Sequence, residues 1–126
     1  MEQTTLNMWT ARDEDLASSI QPESVIGYGV EARDGSIGKV DDKTAQAGKG
    51  TLVVDTGPWI FGSKVMLPIG VMRSVDHEDQ KVFVNRTKDE IKDAPEFDES
   101  RIDDETYRNQ LGSYYGPGGA GWRDWD

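Results

Sequence analysis

The sequence predicts a mainly β fold, a small six-stranded barrel with a short helix after the last strand and tails that are partly disordered or helical. Three observations predict it. Apolar residues make up only 35% of the chain, yet they are concentrated between Val25 and Val84. Within that window they alternate with polar residues at the period of two that a half-buried strand requires. Turn-forming residues interrupt the alternation so often that only short strands fit between them, the pattern of a small barrel or sandwich.

A chain of 126 residues has room for one domain and some additional length. The expected division is a polar N-terminal extension over 1–23, the barrel domain over 24–98, and an acidic tail containing aromatic residues and glycine over 99–126.

In the extension, a short helix over 11–20 would have a narrow apolar face made by Leu16, Ala17 and Ile20. Alternation begins at Ile26. Ile26, Tyr28, Val30 and Ala32 would share one face, and Gly27, Gly29, Glu31 and Arg33 the other. Asp34-Gly35 suits the positive φ angles of a two-residue hairpin turn, so residues 36–40 return as the paired strand. After a polar loop over 41–50, residues 51–55 are rich in β-branched side chains and bounded by glycine, as a short buried strand would be. Residues 64–69 direct Val65, Leu67 and Ile69 inward, and 71–75 and 81–85 repeat the rhythm around a charged turn at 76–80. Full closure of the barrel is expected, because it removes unpaired strand edges.

At Thr87 the pattern changes. Thr87-Lys88-Asp89-Glu90 is a capping box, which predicts a helix to Asp93, ended by Pro95. Beyond it the chain is acidic, with Glu96, Asp98, Glu99, Asp103, Asp104 and Glu105. A second helix starting at Asp103 or Asp104 would carry Tyr107, Leu111 and Tyr114 or Tyr115 on one face. The run Gly116-Pro117-Gly118-Gly119-Ala120-Gly121 reads as flexible, and Trp122 and Trp125 follow it.

Charge and composition narrow the function. Twenty-four acidic against 14 basic residues give a net charge of −10, which opposes binding of nucleic acid, whose affinity rests on Lys and Arg displacing counterions. No stretch approaches the ~18 apolar residues of a membrane span, and residues 1–9 lack the features of a secretion signal. A cytoplasmic protein without membrane insertion is expected. There is no cysteine, hence no disulfide, thiolate nucleophile or cysteine-held metal.

Candidate chemistry is sparse. His77 is the one histidine and sits in the charged turn, where Asp76, Glu78 and Asp79 diverge rather than converge on a metal. The acidic clusters at 13–15 and 103–105 lack the alternating ligands and central glycine of a calcium loop. Neither Gly27-Tyr28-Gly29 nor the run at 116–121 leads into a helix that would cradle a phosphate. Asn85-Arg86-Thr87 spells a glycosylation sequon without a secretion signal to give it meaning. No serine has a nucleophile elbow around it. The expectation is no catalytic residue, no metal and no cofactor.

One segment stands out. Trp59, Ile60 and Phe61 are consecutive in a connection framed by Pro58 and glycines, so at least one must face away from the barrel interior. They either plug one end of the barrel or form a contact surface for a partner or a second copy of the chain.

Three stretches, VIGYGVEARDGSIGKVDD over 25–42, LVVDTGPWIFGSKVMLPIG over 52–70 and VDHEDQKVFVNRTKDEIKDAPEFD over 75–98, together resemble the PRC-barrel family. The most telling pieces are the hairpin over 31–40 and the segment TKDEIKDAP over 87–95. That family is named for a barrel shared by the photosynthetic reaction-centre H subunit and the C-terminal part of a ribosome maturation factor. The resemblance implies a compact six-stranded barrel used as an assembly or adaptor module, with no shared catalytic residues.

The expected function is therefore a non-catalytic protein–protein interaction module that forms a homodimer and uses Trp59, Ile60 and Phe61 as its contact surface. One alternative is a stress or regulatory protein that binds a basic partner through its acidic C-terminal segment. Another, from a different class, is a hydrolase using two carboxylates, for which the sequence selects no particular pair.

Overall fold

The computed structural model describes residues 8, 9, 16, 18, 22–47, 50–57, 64–98, 100, 102 and 104–123. Its strands are β1 (Gly29–Ala32), β2 (Gly35–Val40), β3 (Thr51–Asp55), β4 (Lys64–Pro68), β5 (Met72–Asp76) and β6 (Lys81–Val84). Helices α1 (Lys88–Lys92) and α2 (Glu105–Tyr115) follow, and 3-10 turns occupy Pro22–Val25, Asp42–Gln46 and Ile69–Val71. The strands form one sheet in the order β4-β3-β2-β1-β6-β5. Neighbours are antiparallel except for the interior pair β1 and β6, the fourth and fifth strands in that order, which is parallel. The sheet curls into a half-barrel, and the protein is mainly β with a short helix after the last strand, as the sequence predicts.

Local chemistry shifts two boundaries. Gly27 takes a φ of 88°, which breaks the alternation, so β1 starts at Gly29 and only Val30 and Ala32 of its expected face are buried. Ile26 and Tyr28 are half-buried against the core. Ala32 pairs with Gly35, so the hairpin turns at Arg33 and Asp34, one residue earlier than expected, and Gly35 spends its positive φ of 139° at the start of β2. The charged turn forms where predicted. The Asp76 carboxylate accepts the backbone N–H groups of Glu78 and Asp79, both at 3.0 Å, and Gln80 enters the left-handed region at φ 57°.

The expected closure does not occur among the described residues, because β4 and β5 are the two ends of the sheet. The turn Ile69–Val71 carries the chain from one edge strand to the other without pairing them. Other parts of the chain cover the opening. Gly70 N–H donates to the Met8 carbonyl at 2.8 Å, and a Cβ on Gly70 would lie only 2.7 Å from the Met8 Cα. Helix α2 packs on β4 and sends Tyr107, Leu111 and Tyr115 into the same core as the strands. Its N-cap is Asp104, whose carboxylate accepts the Thr106 N–H at 2.8 Å.

The interior is apolar. Val30, Leu52, Val53, Val54, Leu67, Met72 and Val82 have no exposed surface. Burial of adjacent residues such as Val53 and Val54 requires both faces of β3 to be covered. On this strand the Thr44 hydroxyl bonds to both the N–H and the carbonyl of Val53, which fixes the 3-10 turn Asp42–Gln46 against it.

Candidate functional site

One edge of β4, which has no strand neighbour among the described residues, borders a concave surface. Helix α1 ends just before Pro95, and residues 94–97 continue without regular structure beside β4. Between them lies a groove of about 270 Å³ with Val65, Met66, Ile91, Ala94, Pro95 and Phe97 as its apolar lining. Ile91 is buried and ties the short helix to the core, while Val65 and Phe97 are only half-buried. Val65 was expected to point inward with Leu67, but the structure leaves it on the groove wall. The outer wall is held from outside. The Tyr107 hydroxyl donates to the Pro95 carbonyl at 3.0 Å, and the Phe97 and Tyr107 rings lie 6.1 Å apart.

Charge at the groove is mixed and local. Lys64 and Lys92 contribute cations, and Glu96 one carboxylate. Lys64 lies 3.8 Å from Asp41, a long contact for an ion pair. Lys92 and Glu96 are exposed.

A second polar cluster lies where β6 meets the helices, and it is sealed. Arg86 is 1% exposed. It donates to the carbonyls of Asn85 at 2.7 Å and Tyr115 at 2.8 Å, which pins the C-terminus of α2 to the end of the sheet. Its guanidinium lies over the Tyr115 ring at 5.6 Å and the Trp122 ring at 5.8 Å. Burial pulls the Arg86 pKa down and the nearby Glu90 carboxylate pushes it back up, with a net lowering. Burial raises the pKa of the Tyr115 phenol. Among the described residues, Asn85 Nδ2, Arg86 Nε and the Tyr115 hydroxyl find no hydrogen-bond partner.

The rest of this cluster ties it to the hairpin and to α1. Arg33 donates through its guanidinium to the Asn85 side-chain oxygen and through its N–H to the Arg86 carbonyl at 2.9 Å. The Asp34 carboxylate accepts the Lys88 N–H at 2.8 Å. The predicted capping box is present, with Glu90 N–H donating to the Thr87 hydroxyl and Thr87 N–H to the Glu90 carboxylate. Burial pushes the Glu90 carboxyl upward, but the Thr87 N–H and Arg123, which contacts both carboxylate oxygens at 3.2 Å, outweigh it and hold it below its ordinary value.

The residues singled out in the sequence are scattered. Trp59, Ile60 and Phe61 lie outside the described residues, and in the chain they come shortly before Lys64, the first residue of β4. His77 receives a partner, with its Nδ1 2.7 Å from the Tyr28 hydroxyl and the two rings edge to face at 5.5 Å. Asn85 of the sequon is fully buried. Of the acidic clusters, 13–15 and Asp103 lie outside the described residues, and Asp104 serves as a helix cap. Among the described residues there is no group of acids and histidine that could hold a metal ion, and no helix is long and apolar enough to cross a membrane. The glycine run turns back on α2, with Gly121 N–H donating to the Tyr114 carbonyl at 2.9 Å.

Sequence reasoning did not find the groove or Arg86. Phe97 and Val65 are far apart in the chain, and a single arginine after Val84-Asn85 reads as an exposed turn residue. The only local signal was Pro95, which required the chain to leave its helix just where the groove forms.

Compared with protein-family models, with curated proteins and with solved structures, the chain matches none.

Proposed function

We propose that this chain is a non-catalytic protein–protein interaction module of the PRC-barrel kind, a homodimer working in the cytoplasm, with Trp59, Ile60 and Phe61 in its contact surface. One observation carries the reading. The half-barrel is filled by apolar side chains, while a partly apolar groove lies open on its flank beside the strand that follows those three residues. Recognition on such a protein falls to the outer surface, and an apolar triplet followed by a strand that ends the described sheet is suited to it. The order of elements, six strands and then a capped helix, supports the family resemblance.

Sedimentation velocity of the wild type and of a Trp59→Ala, Phe61→Ala double variant tests this reading, together with recovery of bound protein from the native cell. The wild type is expected to sediment as a dimer, and the variant to shift toward monomer and recover less partner. Monomers in both cases with unchanged recovery would overturn it.

A second reading assigns binding of a basic partner to the acidic segment, supported by the exposed side chains of Glu96, Asp98 and Glu105. Truncation after Asp98 would remove Tyr107, Leu111 and Tyr115 from the core and so test folding instead. Neutralising Glu96, Asp98 and Glu105 as amides separates the two readings, since capture should survive under the first and fall under the second.

A further inference from the structure

We propose that Met8 and Trp9 form a strap that keeps helix α2 docked, and that strap and helix open together as one unit while the six strands stay paired. This conformational device is independent of how the protein binds a partner.

The dipeptide bridges the turn that follows β4 and the middle of α2. On the sheet side, the Met8 carbonyl accepts the Gly70 N–H at 2.8 Å, and the neighbouring Ile69 N–H donates to the Gly50 carbonyl at 2.8 Å, which joins both glycines in one wall. Neither glycine has room for a side chain. A Cβ on Gly70 would lie 2.7 Å from the Met8 Cα, and one on Gly50 would fall on the Trp9 carbonyl. Met8 itself is buried in the core, and Trp9 packs against that core. On the helix side, the Arg108 guanidinium lies 4.0 Å from the centre of the Trp9 ring. A Cβ on Gly112 would come within 3.2 Å of the indole Nε1.

Helix α2 needs such a tie. It has 11 residues, and a helix of that length released into water is marginal. Gly112 weakens it further, since glycine inside a helix is less favourable than alanine. The close approach of the indole accounts for a glycine at this position. Because the Trp9 backbone is set against Gly50, only rotation of the ring out of its contact with Arg108 would make room for a methyl group at 112. The ends of the helix are held by other means, the Asp104 cap and the Arg86 bond to the Tyr115 carbonyl. Opening between those ends would bring Tyr107 and Leu111, both buried, to the surface as an apolar stripe. The strap controls that exposure.

Native-state hydrogen exchange of the full-length, ¹⁵N-labelled protein tests the device, read at the amides of residues 108–111 with Val30 and Val82 as reporters of global unfolding. In the wild type, residues 108–111 are expected to exchange through a less costly opening than Val30 and Val82, and Trp9→Ala should speed that exchange about tenfold. Gly112→Ala gives a second readout. With Trp9 in place, the new methyl group presses on the indole and exchange at 108–111 should fail to slow. In the Trp9→Ala background, the same substitution should slow it about fivefold, the ordinary gain from replacing a helical glycine. Exchange at 108–111 that is indifferent to Trp9→Ala, or that occurs only with global unfolding, would overturn the proposal. Fivefold slowing by Gly112→Ala with Trp9 in place would overturn it as well.

Discussion

The two places where the sheet meets its helices are built in opposite ways. At the end of β6, Arg86, Asn85, Glu90, Tyr115 and Trp122 form a dense polar and aromatic junction in which backbone carbonyls meet a buried guanidinium. Along β4, the contact with the helical segment leaves a groove with half-buried apolar walls beside a strand edge that no described strand pairs. Polar atoms buried in the first junction hold the fold, since each lost bond would leave a partner stranded away from water. The second junction is where stability has been left incomplete, and surface left incomplete is available for binding.

This contrast predicts a graded response to substitution. The largest effect should come from Arg86→Ala, which strands the Asn85 and Tyr115 carbonyls and leaves a cavity under Trp122. A loss of about 3–5 kcal/mol in urea-induced unfolding is expected. A loss below about 1 kcal/mol would mean that the junction is not the tie described here.

Next is Gly70→Ala at the seam between the two edge strands, where Met8 packs on the turn. The new methyl group would press on the Met8 backbone, and a loss of about 1–3 kcal/mol is expected in the same assay. Thr87→Ala removes the helix cap at α1 and should cost about 1 kcal/mol.

Glu90 gives the junction a pH signature. Its folded pKa lies below the ordinary value of 4.5, so its contribution is fully present above that value and is lost as the pH falls through the lowered one. Stability measured across this acid range should be flatter for Glu90→Gln than for the wild type. The groove should respond least: Lys92→Glu, on an exposed side chain, is expected to change stability by no more than about 0.5 kcal/mol.

Much of the fold was legible because alternation reports directly which face of a strand is covered. The strands and charged turn fell close to their predicted places, and the spacing of Tyr107, Leu111 and Tyr114 or Tyr115 marked the buried stripe of α2, of which Tyr115 is the buried member of the last pair. Positions decided by one backbone angle were less legible, as Gly27 and Gly35 show by moving the start of β1 and the hairpin turn. Closure was misjudged because pairing of β4 with β5 depends on how far the sheet curls, which no local pattern encodes. The groove and the Arg86 junction were invisible for a related reason: each is assembled from residues that only the packing of α1 and α2 brings together.

Amide hydrogen exchange of the full-length protein tests the central claim most directly. The amides of Val30 and Val82, in the middle of the sheet, should exchange only on global unfolding. Within β4, amides should alternate, those in the β3 ladder protected and those on the outer edge exchanging far faster. Uniform, strong protection along the whole of β4 would show that this edge is already paired and would contradict the account.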